Sequence, residues 1–250
     1  MTQSNSPWVL SHSRCADEAR VRLFCLPFAG GGASMYASWA GALGPEVDVV
    51  PIQLPGRENR LRERPIDDIE VLAREIVSAV RDLLDRRFAL FGHSMGALVA
   101  FEVAREMRRQ RLPGPTMMFV CAKRAPQLGP DAVPLGRLPD SALLRQLHKQ
   151  FGLDISEDMK PLIELMLPTI RADICAVDDY RYTEAEPFRF PIVALGGDSD
   201  HSVAVAELQG WSVQTVSSFD MRLLPGGHFF VNGSRDRVAA VLRQTLTTTP

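Results

Sequence analysis

The stretch FALFGHSMG, residues 88–96, constrains this chain more than any other. A short apolar run (88–92) gives way to Gly92-His93-Ser94-Met95-Gly96. Residues 95–111 then read as a helix that starts apolar and ends in a basic turn. A strand that turns this tightly into a helix needs glycine wherever a Cβ would collide. The turn throws Ser94 clear of the sheet, beside the positive end of a helix dipole.

Strand-like and helix-like segments alternate on both sides of this unit. Residues 22–27, 47–55, 116–122, 190–197 and 221–227 read as further strands, with Pro51 tolerable only at an edge or a strand end. Helices are expected at 36–43, at 66–84, where Ile69, Ala73, Ile76, Val80 and Leu83 share a face, and at 234–246. The pattern breaks between 123 and 187. There, proline-punctuated entrance and exit segments enclose amphipathic helices at about 140–151, 157–171 and 172–182. This predicts an α/β fold: a doubly wound, mostly parallel sheet covered on both faces, with a helical insertion at about 123–187 in one domain spanning 1–250. Residues 1–20 are polar and mixed and read as a loosely packed lead-in. In such a sheet the ligand site lies outside the carboxyl ends of the strands.

G-x-S-x-G between a strand and a helix is the nucleophile elbow of the α/β-hydrolase fold, whose reactive residues follow in the order serine, acid, histidine. Ser94 is the nucleophile on this reading. Of the histidines downstream, His228 lies in the loop after the last expected strand, whereas His148 falls on an insertion helix. His93, inside the elbow, reads as shaping the turn. Two aspartates follow strand 190–197. The spacing Gly197-x-x-Asp200 favours Asp200 as the acid, Asp198 stays open, and His201 beside it is a local oddity. Two backbone N–H groups should face the developing oxyanion. Met95 supplies one. The other belongs to the loop Pro27-Phe28-Ala29-Gly30-Gly31-Gly32, where Ala29 is preferred and Phe28 and Gly30 are near alternatives. That loop has neither G-x-x-x-x-G-K-[ST] nor a spaced G-x-G-x-x-G, so a phosphate cradle is disfavoured.

Composition narrows the rest. A net charge of −2 argues against a nucleic-acid binder. No apolar run approaches the about 20 residues that span a bilayer. The first residues lack the basic-then-apolar order of a secretion signal. The four cysteines are widely spaced, with Cys25 and Cys121 inside apolar runs, which suits core thiols in a reducing cytoplasm. No metal or cofactor is implied, and a monomer is the default expectation. Arg57, Arg60, Arg62 and Arg64 form one basic cluster, and Arg105, Arg108, Arg109 and Arg111 a second. Either could steer an acidic partner, or simply be solvated surface.

With these residues in hand, the chain resembles the type II thioesterases, the discrete editing enzymes of polyketide and nonribosomal peptide synthases. The likeness rests on LFCLPFAGGGASMY (23–36), QLPGRENR (53–60), FALFGHSMGALVAFEVA (88–104), LPTIRADICAVDDY (167–180), GGDSD (196–200) and LPGGHFF (224–230). It implies a phosphopantetheinylated acyl or peptidyl carrier protein as partner and its acyl thioester as substrate. It also implies a lid at 123–187, the triad Ser94, Asp200 and His228, and the clearing of stalled acyl groups. A small-molecule carboxylesterase or lipase would use the same triad, a transferase would pass the acyl group to another acceptor, and a noncatalytic module could keep the same fold.

Overall fold

Side chains that alternate along buried strands need apolar partners on two sides, and this chain supplies both. The computed structural model describes residues 6–10, 19–130 and 133–248. Strands β1 (Val21–Leu26), β2 (Val47–Pro51), β3 (Phe88–His93), β4 (Met117–Cys121), β5 (Ile192–Gly197) and β6 (Phe219–Leu224) pair in parallel throughout. Every residue of β1, β3, β4 and β5 is buried, as expected for strands covered on both faces. Phe24 and Leu26 point into one core layer with Leu90 and Val120, and Leu23 and Cys25 into the other with Phe91 and Phe119.

The helices are α1 (Trp39–Leu43), α2 (Ile69–Val80), α3 (Met95–Arg109), α4 (Asp140–Phe151), α5 (Lys160–Asp179), α6 (Val205–Gln209), α7 (Phe230–Gly233) and α8 (Arg235–Thr248). α2 and α3 cover the first face, while α1 and α8 cover the second. Asp68 caps α2 by accepting the Val71 N–H at 2.8 Å, a cap worth about 1 kcal/mol. α2 ends at Val80 and continues only as a 3₁₀ turn to Leu83, shorter than the expected 66–84.

Strand order is β2-β1-β3-β4-β5-β6. The chain moves outward from β1 to β2, then returns across β1 to β3 and proceeds to the opposite edge. The reversal opens a crevice at the carboxyl ends of β1 and β3, flanked by the glycine loop after β1 and by Ser94 after β3. Pro51, which has no N–H to donate, terminates β2 on that sheet edge.

Four expectations are corrected. Helices 157–171 and 172–182 are one helix, α5, which runs through Pro168. Proline removes one main-chain bond and crowds the preceding turn, but α5 continues through it, tied down by tertiary contacts. The Thr169 hydroxyl donates to the Gly56 carbonyl, and Asp173 meets Arg57. Residues 1–5 and 11–18 of the lead-in lie outside the described residues, but 6–10 are docked. Trp8 is buried beneath the Arg60 guanidinium, 4.4 Å from the ring centroid, and its carbonyl accepts the Gln53 N–H at 2.9 Å. Between β5 and β6 the sequence offered no helix, yet α6 and a 3₁₀ turn at Gly210–Gln214 are present. They seat Trp211, fully buried with its indole N–H on the Lys123 carbonyl at 2.8 Å. The last strand begins two residues earlier than 221 and ends at Leu224.

Cys25 and Cys121 are buried free thiols and Cys175 is a half-buried one, whereas Cys15 lies outside the described residues. No helix among the described residues is long and apolar enough to cross a membrane.

Candidate active site

Ser94 has φ 54° and ψ −116°, a conformation L-residues rarely hold. Close packing enforces it. A Cβ on Gly92 would lie 2.1 Å from the Gly96 carbonyl oxygen, and one on Gly96 would lie 2.2 Å from the Leu26 oxygen. The Ser94 N–H donates to the Cys121 carbonyl at 2.8 Å, tying the turn to β4. The two glycines and that bond leave the serine one place to go, the mouth of the β1/β3 crevice.

His228 reaches Ser94 from the loop after β6. Its Nε2 lies 3.0 Å from Ser94 Oγ, and its Nδ1 lies 3.0 Å from Asp200 Oδ2. A carboxylate only accepts, so Nδ1 carries the proton and Nε2 is left to accept from the serine hydroxyl. Ser202, which sequence reasoning missed, completes the group. Its hydroxyl donates to Asp200 Oδ1 at 2.6 Å, and its oxygen accepts from His228 Nδ1 at 2.9 Å. Its N–H also donates to Asp200 Oδ1, at 2.8 Å. Burial works against the charge on Asp200, but the bonds from His228 and Ser202 outweigh it and hold its carboxyl below the ordinary carboxylate range.

The other sequence candidates fall elsewhere. Asp198 is exposed and bridges two loops, accepting from Ser199 Oγ at 2.8 Å and from the Gly226 N–H at 3.1 Å. His201 lies at the rim of the cavity described below, and His148 is exposed with Nδ1 on the Leu153 carbonyl at 2.8 Å. His93 is fully buried among Phe28, Phe229, Phe230 and the His228 ring, and neither of its nitrogens makes a hydrogen bond of normal geometry. Burial pushes its pKa well below the usual histidine value, and the nearby His228 adds to the effect. His93 therefore packs as a neutral ring, in keeping with a turn-shaping role.

Phe28, Ala29, Gly30 and Gly31 form a tight turn, with the Gly31 N–H on the Phe28 carbonyl at 2.8 Å and Gly30 at φ 80°. Positive φ at the third position alone is the type II pattern, which calls for glycine there. The Gly30 N–H is committed to Asp173 Oδ2 at 2.7 Å, which removes Gly30 from the oxyanion candidates. Ala29 lines the cavity beside Ser94. Met95 is the first residue of α3, where the N–H groups have no partner within the helix.

Ser94 and His228 border two cavities. The larger, about 400 Å³, has Lys123, Lys149, Asp178, His201 and Ser202 among its walls. The smaller, about 70 Å³, is walled by Phe28, Leu147, Leu153, Ile170 and Phe229. Phe151, at the end of α4, lines both, and its ring centroid lies 4.6 Å from that of His228.

The first arginine cluster is largely not a free surface. Arg57 is buried and grips Asp173 of α5 with two bonds, at 2.6 and 2.9 Å. It also donates to the Gly31 carbonyl at 3.1 Å. Removing one partner of such a buried pair costs about 3–5 kcal/mol. Arg60 is buried between Trp8, Glu63 and the Gln53 carbonyl, leaving Arg62 and Arg64 exposed. In the second cluster Arg105 is buried against Glu102, Arg108 reaches the Glu186 carbonyl and Arg109 pairs with Glu106. Arg57, Arg60 and Arg105 thus pin loops and helices, whereas Arg62, Arg64, Arg108, Arg109 and Arg111 are exposed.

A strained serine on an elbow, a histidine and acid from later strands and a parallel sheet with a switch-point crevice define a serine hydrolase of the α/β-hydrolase class. Residues 21–248 match the thioesterase-domain family. The structure superposes on RedJ, a thioesterase from the prodiginine pathway in Streptomyces coelicolor, with a TM-score of 0.85, at 41% identity over 91% of this chain and 87% of that one. It also superposes on the type II thioesterase BorB of the borrelidin biosynthetic cluster, with a TM-score of 0.86, at 33% identity over 99% and 98% of the two chains. The chain belongs to the thioesterase family, among the type II editing thioesterases of nonribosomal peptide and polyketide pathways. A relative from Brevibacillus parabrevis, 38% identical over 97% of this chain and 94% of its own length, carries the name linear gramicidin dehydrogenase LgrE. That name has no counterpart in the motifs here, since Gly30-Gly31-Gly32 lacks the spaced glycines of a dinucleotide cradle.

Proposed function

We propose that this thioesterase hydrolyses short acyl groups held as thioesters on the phosphopantetheine arm of carrier proteins, using Ser94, His228 and Asp200. The observation that carries this reading is the hydrogen-bonded chain from Ser94 Oγ through His228 to Asp200 at the meeting point of two unlike cavities. The larger lies in the size range of about 300–1,000 Å³ typical of ligand sites and carries lysines suited to a phosphate. The smaller is apolar and has room for only a few carbon atoms. An arm entering by the first would present a short acyl chain to the second, beneath α4 and α5 acting as a lid.

The chemistry follows from the proton positions. His228 Nε2 takes the Ser94 proton as Oγ attacks the thioester carbonyl. The Ala29 and Met95 N–H groups receive the oxyanion, aided by the positive end of α3. The C–S bond breaks, and His228 returns its proton to the departing sulfur. Water, deprotonated by His228, then attacks the acyl-serine carbonyl, releases the carboxylic acid and restores the Ser94 hydroxyl. Asp200 keeps the imidazole in the working tautomer and stabilises its charged form without taking its proton.

The test presents one acyl group three ways: on a carrier protein, on a small pantetheine thiol and as an oxygen ester. Ser94→Ala serves as the blank. The expected result is the highest kcat/KM for the carrier-bound thioester. Equal or faster turnover of the oxygen ester would reassign the enzyme as a general esterase.

A further inference from the structure

The acid on α5, Asp173, is fully buried and has no place in the proton chain, yet it sits against the loop that carries Ala29. Its Oδ2 accepts two donors at once, the Gly30 N–H at 2.7 Å and Arg57 Nη1 at 2.6 Å. Arg57 in turn holds the Gly31 carbonyl at 3.1 Å and the Pro55 carbonyl at 3.2 Å. The clamp therefore fixes the two main-chain groups that follow Ala29. Ile170, one turn earlier on α5, packs so near the turn that a Cβ on Gly30 would lie 2.7 Å from its Cγ1, leaving no room for a side chain there.

We propose that Asp173, held by Arg57, is a positioning residue for the oxyanion hole. The Ala29–Gly30 peptide is the unit that rotates when a turn exchanges between the type I and type II forms. Accepting the Gly30 N–H from a fixed point on α5 locks that peptide in the type II form and pins the loop directly after Ala29, so the preceding Phe28–Ala29 peptide, which carries the Ala29 N–H, keeps its place beside Ser94. The insertion is thereby wired to the chemistry as well as to the acyl pocket. The inference rests on the reading of Ala29 as an oxyanion donor.

Asp173→Ala, Asp173→Asn and Arg57→Lys are compared with wild type on a propionyl-pantetheine thioester, with active sites titrated by a fluorophosphonate. Melting temperatures are recorded in parallel. Asp173→Ala is expected to lower kcat about 10- to 100-fold per titrated site with KM within about threefold, since losing an oxyanion donor outright costs about 10²–10³. Its phosphonylation by the same probe should slow by a similar factor, because the phosphonyl oxygen occupies the same hole. Asp173→Asn still offers an oxygen to Gly30 but leaves Arg57 unneutralised. It should melt lower yet keep kcat within about threefold of wild type. A kcat that follows melting temperature across the series, or an unchanged kcat in Asp173→Ala, overturns the proposal. If Asp173→Ala does not fold, Arg57→Lys decides: it keeps the charge and loses the fork, and a kcat loss of at least about threefold per site supports the clamp, whereas no loss overturns it. Failure of the wild type to react with the probe at Ser94 would refute the serine mechanism itself, which separates the two readings.

Discussion

At the scale of single residues, the two aspartates after β5 show how a difference in partners assigns roles. They stand two positions apart in GGDSD, and spacing alone favoured Asp200 without excluding Asp198. In the folded chain Asp198 fastens the turn to Gly226, and Asp200 faces His228. Asp200→Asn is therefore expected to reduce kcat by about 10⁴, by stabilising the wrong imidazole tautomer. Asp198→Asn should change kcat by less than about twofold. Steady-state kinetics on the two proteins checks the assignment, and the reverse pattern would exchange their roles. Ser202→Ala removes one acceptor for His228 and one donor to Asp200 while leaving the Ser202 N–H in place. A net hydrogen bond is worth about 1 kcal/mol, so a loss in kcat of about three- to tenfold is expected. Nothing in the sequence marked Ser202. Serines are common in loops, and its value comes from lying between two groups that are 28 residues apart.

At the scale of elements, strands were the legible part. Apart from Arg22 in β1 and His93 at the end of β3, the strands β1, β3, β4 and β5 are apolar throughout because both faces of the sheet are covered, and burial of that kind leaves its mark directly in composition. The excursion between β4 and β5 was visible as a loss of strand pattern, but its division into helices was not. Pro168 reads as a break when only local geometry is weighed, and α5 passes through it because Thr169 and Asp173 are anchored to residues more than 100 positions away. The Arg57–Asp173 pair was hidden for the same reason, and Arg57 read as one more surface cation. α4 ends on Phe151, the residue of that helix that lines both cavities and whose ring lies against His228. Phe151→Ala should merge them. The ratio of kcat/KM for octanoyl- over propionyl-pantetheine should then rise by about tenfold or more, the scale on which apolar pockets discriminate chain length. An unchanged ratio would show that the partition lies elsewhere.

At the scale of the whole molecule, acid stability records two kinds of buried group. His93 stays neutral in the folded chain because burial lowers its pKa. The unfolded chain binds that proton near pH 6.5, so it holds more protons than the native state below that pH. Stability should consequently fall as pH drops through about 6.5, by up to about 1.4 kcal/mol per pH unit for one proton. For the carboxylates the sign is the same, but the cause differs: the charged form is held by hydrogen bonds and ion pairs rather than expelled by burial. Burial of Glu106 raises its pKa, but bonds from Gln110 and Arg109 bring it below the usual value, and Asp200 is likewise lowered. Their contribution is complete above the ordinary carboxylate range near pH 4 and is lost as pH falls through the lowered values. Thermal melts between pH 7.5 and about 3 should thus show two descents. His93→Asn should abolish the one nearer neutrality and keep the acidic one. A variant that retains both would place the first proton on another group.

The parts around Ser94 come from the ends of β1, β3, β5 and β6, and Ser94 and His228 are separated by 134 residues. On the proposed roles, a chain that ended before β6 would hold the serine, the glycine loop and the acid but no base, because the loop bearing His228 follows β6, which pairs with β5 at the far edge of the sheet.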